Sequence, residues 1–444
     1  MPYLNRSFLA FLLIWLSLAG SGCWSQLEPD NYAYILAVGV DQGEENRLKI
    51  TYLIANSKEM GREGGDAGQK SLVTSVESPS VFATLNMVNT YVGRRLTLMH
   101  AKIIIFSEEA ARSGLMGSFV AAIGQYREVR GTMFIGVTKG TAADRIADIL
   151  PILEANPAKY IELIAGSGIT TGFTPQAEHF DTMYIALSAD GIEPVTMLFG
   201  PSREPGEASR GGDTAGEREM NGGGEGERTA ADEFRPEGDY TAGTLPREGG
   251  VDFGAMGAVA FRGPVMVGEM TGDETMAWGM INGKFRQSII SLPDPLAEGA
   301  VLSAAVSEGR KPRIRVSLVD GKPRIDVKIT LEGNVLGIQS LIDYQQPDKQ
   351  SVLEEAYKRK IEKMLNKIIE RSQKEFRSDI FGFGLYARRH FLTLDAWKQV
   401  RWEELYPEAE ISLTVEFKIR HTGMFIRIAP IVDPAAGVEE GDNE

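Results

Sequence analysis

The chain has 444 residues, of which 43% are hydrophobic, and this length is enough for two to four domains of about 100–200 residues each. Its 61 acidic residues outnumber its 47 lysines and arginines, so the formal net charge is −14. This balance argues against nucleic-acid binding and against an electrostatic attraction of the chain as a whole to anionic lipid.

The amino terminus has the three parts of an export signal. Arg6 supplies positive charge, an apolar run follows over residues 8–19, and three small residues at 20–22 precede Cys23. The apolar run is shorter than the about 20 residues that cross a hydrocarbon core. It therefore predicts a signal peptide over residues 1–22. No other segment approaches the about 18 consecutive apolar residues of a membrane-spanning helix.

Cys23 is the only cysteine of the chain, so it has no partner for an internal disulfide. A cysteine directly after such a signal is typical of bacterial lipoproteins. We predict that Cys23 becomes an N-palmitoyl, S-diacylglyceryl cysteine that anchors the chain to a bilayer. Two or three acyl chains give stable membrane binding, whereas a single chain binds only marginally. Gly20 stands where a lipoprotein signal usually has leucine. The alternative is an ordinary secretory signal that is cleaved nearby, with Cys23 left free or removed.

Residues 23–200 are predicted to form an N-terminal domain in which strands and helices alternate. Strands are predicted at 34–41, 48–55, 102–106 and 131–137, the first two as a hairpin, and helices at 80–92, 141–149 and 158–164. The helix at 80–92 is expected to start at a Ser78 or Ser80 cap. It is expected to bury Phe82, Leu85, Met87 and Val88.

Residues 201–250 hold 12 glycines and almost no aliphatic side chains. Such a segment buries too little surface to offset its ordering entropy, so we predict a disordered insertion. The acidic tail at 433–444 is predicted to be disordered for the same reason. Between these segments, residues 251–300 are predicted to form a middle region with a β-hairpin around Arg262 and Gly263, followed by a short helix.

Residues 301–432 are predicted to form a C-terminal domain. Two alternating strands at 313–319 and 324–331 flank a turn at Asp320 and Gly321, and a third alternating strand lies at 411–419. An amphipathic helix from Lys349 to about Arg377 lies between them. The fold class is therefore α+β, with three mixed domains and mostly antiparallel sheets, the last one an antiparallel sheet packed on the long helix.

The sequence carries no arrangement typical of catalysis or metal binding. None of the four histidines stands three or four residues from another, so no zinc site is predicted. No serine-nucleophile motif occurs at a strand-to-helix turn. We predict no catalytic residues, no metal and no cofactor, and no ligand-binding residue can be assigned.

Two polar clusters each allow two interpretations. The segment 94–102 contains Arg94, Arg95, His100 and Lys102. It is either a polar segment before the strand at 102–106, whose histidine caps or hydrogen-bonds the backbone, or a recognition edge for a partner subunit. The segment 379–384 is either a glycine-capped turn that buries its aromatic side chains or an exposed aromatic docking patch.

Ten stretches, in this order, resemble the Ger(x)C family of spore germination proteins, the lipoprotein C subunits of germinant receptors. They lie at 22–24, 36–41, 95–102, 105–110, 126–130, 151–161, 257–261, 267–268, 381–384 and 397–407. The resemblance covers nearly the whole chain except 201–250, and it rests on all ten stretches occurring in one order.

The resemblance implies a non-enzymatic subunit on the outer face of the spore inner membrane, tethered by Cys23. It would act with integral-membrane A and B subunits in a receptor that responds to nutrients such as amino acids or sugars. The implied fold is a three-domain α+β architecture. In this family the germinant is thought to be read by the B subunit, so the resemblance assigns no ligand pocket to this chain.

The sequence disfavours two other classes of protein. A lipid-anchored extracytoplasmic solute-binding protein would have repeated βαβ lobes around a polar cleft, which the antiparallel hairpin at 313–331 disfavours. An exported enzyme would need a nucleophile, a metal or an acid–base constellation, and the sequence shows none.

Overall fold

A computed structural model describes residues 31–56, 71–149, 153–154, 156–176, 179–189, 191–201, 234–340 and 342–421, together with residues 8, 10 and 11. These residues form two mixed sheets covered by helices, so the predicted mixed α and β fold class is confirmed. Cys23 and the acidic tail at 433–444 lie outside the described residues, as do nearly all of residues 1–22.

The first sheet contains nine strands within the described residues. They are β1 (Tyr32–Gln42), β2 (Leu48–Ala55), β3 (Ser71–Ser78), β4 (Arg95–Thr97), β5 (Ile103–Ser107), β6 (Phe134–Thr138), β7 (Val195–Gly200), β8 (Gly254–Arg262) and β9 (Val265–Met270). Their order is β3-β2-β1-β5-β6-β7-β8-β9, and β4 pairs with the start of β1. The centre from β1 to β7 is parallel, and the pairs at either side are antiparallel.

Within the described ranges, seven helices lie between the strands of the first sheet along the chain. They are α1 (Val81–Val92), α2 (Glu108–Arg112), α3 (Leu115–Ile123), α4 (Ala142–Ala147), α5 (Pro157–Ala165), α6 (Gly168–Thr171) and α7 (Phe180–Ser188). Helices α1, α2, α3 and α7 bury side chains in a core on one face of the sheet, whereas α4 and α5 do so on the other. Both faces are therefore covered, which explains the nearly continuous apolar sequence of β1 and β5.

Local capping explains where several of these helices begin. The side chains of Ser80, Ser107 and Thr141 accept hydrogen bonds from the backbone N–H groups three residues further on. The carboxylate of Asp41, at the end of β1, also accepts from the N–H groups of Ala142 and Ala143 at 2.7 and 3.0 Å. The helix dipole of α4 favours this buried negative charge.

The prediction for α1 is right in its cap, Ser80, and wrong for two of its buried residues. Phe82 and Met87 are 42% and 45% exposed. The helix instead turns Val81, Thr84, Leu85 and Val88 toward the sheet, because these positions form the stripe with spacings of three and four residues.

The second sheet contains β10 (Gln287–Pro293), β11 (Val301–Val319), β12 (Lys322–Ile338) and β13 (Glu410–His421), in that order. Its helices are α8 (Gly272–Asn282), α9 (Pro347–Lys374), α10 (Phe383–Ala387), α11 (Leu394–Lys398) and α12 (Trp402–Leu405). The hairpin of β11 and β12 is confirmed, with both strands longer than the alternating sequence indicated.

The prediction of a wholly antiparallel C-terminal sheet is wrong. Strand β13 pairs parallel with β12. The chain leaves β12, runs through α9 and the short helices, and returns to the same end of the sheet, which is the long crossover that parallel pairing requires. The alternation of apolar and polar residues in β13 indicates that one face of the strand is exposed. It does not indicate whether the strand runs parallel or antiparallel to its neighbour.

Residues 251–300 do not form a middle unit of their own. Strands β8 and β9 extend the first sheet and β10 starts the second, with α8 between them. An isolated two-stranded hairpin is only marginally stable in water. The hairpin of β8 and β9 gains stability because β8 also pairs with β7. Residues 234–250, expected to be disordered, form ordered turns in which Ala242 is buried and its N–H donates to Met256 O at 2.8 Å. The rest of the predicted insertion, at 202–233, lies outside the described residues.

One apolar core joins the two sheets. Val195, Ala258, Ala260 and Met270 of the first sheet belong to the same buried cluster as the side chains of α8, α9 and the second sheet. Within this cluster the indole N–H of Trp278 in α8 donates to Ile380 O at 2.8 Å. The two sheets therefore share a core rather than bounding an open cleft.

The turn at 378–384 is the polar centre of this junction. The buried carboxylate of Asp379 accepts from the N–H groups of Phe383 and Gly384, at 3.1 and 2.7 Å, and from Trp402 Nε1 at 2.8 Å. The backbone carbonyl of Asp379 accepts from Glu193 N at 3.2 Å. Burial raises the pKa of the Asp379 carboxyl to about 6, although these donors act in the opposite direction.

Glu193 lies in the same junction, where its carboxylate accepts from the N–H of Gly263 in the turn between β8 and β9. The pKa of Glu193 is raised to about 7, mainly by burial; the nearby Glu403 and Asp379 carboxyls act in the same direction and the hydrogen bond from Gly263 acts against them. A second buried acid, Glu274 of α8, is paired with Arg371 and, at 3.0 Å, with Lys367 of α9. The junction thus combines an apolar core with fixed polar contacts.

We predict that Gly384→Ala lowers the denaturant midpoint of unfolding. A Cβ at position 384 would lie 2.5 Å from the Cα of Gly191 and 2.8 Å from Cδ1 of Trp402, so the backbones would have to separate, at a cost of about 1–3 kcal/mol. Gly337→Ala is the matched control, because a Cβ there meets nothing within 4 Å. Equal midpoints for the two variants would contradict this close approach.

We also predict that Glu193→Gln stabilises the protein more at pH 8 than at pH 5. The pKa of Glu193 is higher in the folded chain than in the unfolded one, so the folded state binds the extra proton and loses stability as the pH rises through about 7. Glutamine keeps the acceptor for Gly263 without the charge. The gain at pH 8 should be on the order of 2 kcal/mol.

Urea unfolding of wild type and variant at the two pH values measures this difference. Glu298→Gln, at an exposed position between β10 and β11, should change stability by the same small amount at both. A Glu193→Gln effect that does not depend on pH would contradict the account of the junction.

Candidate functional site

A cavity of about 300 Å³ opens at the amino ends of β5 and β6. Backbone hydrogen bonds fix its floor, because Lys102 N donates to Leu36 O at 2.7 Å and Phe134 N donates to Lys102 O at 2.8 Å. The lining residues come from four separate segments: Met99, His100, Ala101, Lys102, Arg130, Thr132, Phe134, Glu162 and His179.

Positive charge is concentrated around this cavity. The segments 94–102 and 126–132 together carry five lysines and arginines and one carboxylate, in a chain whose net charge is −14. That carboxylate, Glu128, accepts from Thr97 Oγ1 at 2.8 Å and from Leu98 N at 3.1 Å, so it fastens the two segments to each other.

The two cations that line the cavity differ in their partners. Lys102 Nζ lies 2.6 Å from Glu162 Oε1 of α5, and Glu162 is also 4.0 Å from Lys159. Arg130 is exposed, and among the described residues no carboxylate lies within ion-pair distance of its guanidinium. Arg130 thus presents its donors to the cavity without competition from an acid.

Two imidazoles complete the polar lining, and each is held by an aromatic ring. His100 packs edge-on against Tyr34 of β1, with ring centroids 4.9 Å apart, and His179 lies 4.9 Å from the ring of Phe134. Burial lowers the pKa of His100, and Arg130 and Lys102 lower it further. Burial also lowers the pKa of His179, against the opposite influence of Asp181. Both rings are therefore neutral at pH 7, each with one N–H donor and one acceptor.

The arrangement suits the binding of an anion. Guanidinium, ammonium, hydroxyl and imidazole groups from three of the four segments line one space, and a charge-assisted hydrogen bond is about twice as strong as a neutral one. The described residues contain no group of three or more histidine, cysteine, aspartate or glutamate side chains placed to hold a metal ion. None of the helices in the described ranges combines the length and apolarity that a bilayer crossing requires.

The structure decides between the two interpretations of the segment 379–384. Ile380, Phe381 and Phe383 are at most 3% exposed, so the turn buries its aromatic side chains and the hypothesis of an exposed docking patch is wrong. For the segment 94–102, the structure shows His100 packed on Tyr34 at the rim of the cavity.

Sequence reasoning did not assign the other residues of the cavity. Arg130, Thr132, Glu162 and His179 lie 28 to 79 residues from His100 and Lys102 along the chain. The pairing of β5 with β6 and the packing of α5 bring them together. The one sequence signal was the excess of basic residues in 94–102 and 126–132.

Comparisons with known proteins match most of the chain. The family model described as the spore germination protein N-terminal domain matches residues 25–200, and the one described as the spore germination B3/GerAC-like C-terminal domain matches residues 256–423. Spore germination protein KC of Bacillus subtilis strain 168 is 23% identical over 436 residues, which cover 95% of this chain and 97% of the relative.

Two further similarities span nearly the same range. The putative spore germination protein YfkR of Bacillus subtilis strain 168 is 21% identical over 413 residues, covering 92% of this chain and 94% of the relative. The crystal structure of the GerBC protein is similar at 14% identity with a TM-score of 0.48, covering 86% of this chain and 96% of that one. On the two family models, which together match both halves of the fold, the chain belongs to the Ger(x)C family of spore germination proteins.

Proposed function

We propose that this chain is a non-enzymatic lipoprotein subunit of a nutrient germinant receptor. It is held on the outer face of the spore inner membrane by acylated Cys23 and assembles with integral-membrane A and B subunits to trigger germination. The observation that carries the proposal is the match of two spore germination family models, one to residues 25–200 and the other to residues 256–423.

The placement of Cys23 supports the anchoring. It directly follows the predicted signal peptide and precedes Tyr32, the first residue of β1, by nine residues. Nine residues span at most about 30 Å when fully extended. An acylated Cys23 would therefore keep the amino end of β1 close to the bilayer.

The shared core of the two sheets supports an assembly subunit over a solute-binding protein. In a two-lobed binding protein the ligand cleft separates the lobes, whereas here Val195, Ala258, Ala260 and Met270 of the first sheet are buried with α8 and α9. The cavity of about 300 Å³ is lined by residues of the first sheet, its loops and α5, and no residue of the second sheet lines it.

We predict that Cys23→Ala abolishes palmitate labelling and weakens nutrient-triggered germination while leaving the fold intact. The chain has no second cysteine that could be acylated. Metabolic labelling with palmitate and dipicolinate release from spores measure the two effects. Ser21→Ala is the matched control, since it keeps a small residue before the cysteine and should remain labelled. An unlabelled wild type would rule out lipidation.

We predict that deletion of this gene reduces nutrient-triggered dipicolinate release and leaves germination by exogenous dipicolinate intact, because the latter bypasses nutrient perception. A strain without related paralogues is the appropriate background. Normal nutrient germination of such spores would contradict the receptor role. A thermal-shift screen of the purified protein with amino acids and sugars checks the alternative, since a large stabilisation by one of them would favour a solute-binding protein.

A further inference from the structure

We propose that the cavity at the amino ends of β5 and β6 binds the phosphate of an anionic phospholipid headgroup, so that this end of the first sheet rests on the bilayer surface. The inference deepens the proposed function and rests on it, because only an anchored chain is held with this end near lipid. It assigns a ligand class to Arg130, Lys102, Thr132 and the two imidazoles.

The position of the cavity is the first argument. His100 contacts Tyr34, the third residue of β1, and β4 pairs with β1 from Tyr32 onward. The cavity therefore lies at the end of the sheet where β1 begins, which is the end that a tether of at most about 30 Å holds near the membrane. The other end of β1, at Gln42, lies about 26 Å from Tyr34 along the strand.

The charge of this end is the second argument. Five cations and one carboxylate lie in segments 94–102 and 126–132, and Glu128 is occupied by Thr97 and Leu98. Attraction to an anionic surface acts only within a Debye length of about 8–10 Å. A local basic cluster can therefore bind anionic lipid even though the chain as a whole carries a charge of −14.

The chemistry of the lining is the third argument. The Arg130 guanidinium is a planar, permanently charged donor that matches phosphate oxygens in pairs. Thr132 offers a hydroxyl, and Lys102 an ammonium that Glu162 already holds in place at 2.6 Å. The carboxylates that face the lining are Glu162, neutralised by Lys102 and Lys159, and Asp181 near His179.

The surroundings of the cavity favour a lipid over a free anion. Arg95 and Arg127 are exposed outside the cavity, where a small anion bound inside would not use them but neighbouring headgroups would. Met99, at the lip, is 47% exposed. An apolar side chain beside cations fits the boundary between headgroups and acyl chains.

The test measures thermal stabilisation of the full, anchored protein in a neutral detergent. The probes are dihexanoyl phosphatidylglycerol below its critical micelle concentration, dihexanoyl phosphatidylcholine, and inorganic phosphate. We expect phosphatidylglycerol to raise the melting temperature, and phosphatidylcholine and phosphate to have much smaller effects at equal concentration. Arg130→Gln should weaken the apparent affinity for phosphatidylglycerol at least about fivefold.

Arg315→Gln is the matched control, because it removes the same charge from an exposed position on β11 of the second sheet. It should keep the wild-type response. Without probe, the melting temperatures of both variants should equal that of the wild type, since neither side chain is buried. If Arg130→Gln lowers the melting temperature, Lys102→Gln serves as a second variant in the cavity.

Three results would overturn the proposal. The first is no stabilisation by phosphatidylglycerol, and the second is equal stabilisation of wild type and Arg130→Gln. The third is inorganic phosphate acting as strongly as the lipid through Arg130, which would make the cavity a site for a free anion. Palmitate labelling of the same preparation tests anchoring separately, so an unlabelled protein that still binds the soluble lipid would refute the anchor and not the site.

Discussion

Strand β1 is the constraint around which the first half of the molecule is arranged. It pairs antiparallel with β2 and parallel with β4 and β5, and both of its faces are covered by helices. Because its side chains are almost all apolar, the strand is stable only when buried. Asp41, near its carboxyl end, caps α4. The amino end of β1 meets the loops that form the basic cavity, so the buried position of this strand fixes the end of the sheet at which the cavity lies.

The junction between the sheets carries this arrangement to the second half of the chain. The apolar side of β8 and β9 is buried with α8 and α9, and the buried carboxylates of Asp379, Glu193 and Glu274 within it each have a hydrogen-bonding partner. Unpaired, such buried polar groups would each cost about 1–3 kcal/mol. Through this shared core the position of the second sheet is fixed relative to the first.

Local patterns predicted local structure well. The hairpin of β1 and β2, the helix starts at Ser80 and Thr141, the long helix α9 and the hairpin of β11 and β12 all follow from periodicity, caps and turn residues within one segment. The parallel pairing of β13, the division of 251–300 between two sheets and the cavity depend on contacts between distant segments, which one sequence does not reveal. The net charge of −14 also gave no sign of the basic cluster at one end of the first sheet, because charge was summed over the whole chain.

The most direct test of the account is the orientation of the anchored protein on a membrane. Because acylation would block the thiol of Cys23, the only cysteine, single dyes can be attached through Met99→Cys beside the cavity and Glu45→Cys at the far end of β1. Energy transfer to headgroup-labelled lipid in vesicles then compares two positions near opposite ends of β1, a strand about 33 Å long. The account predicts clearly stronger transfer from position 99 than from position 45. Equal transfer, or stronger transfer from position 45, would contradict it.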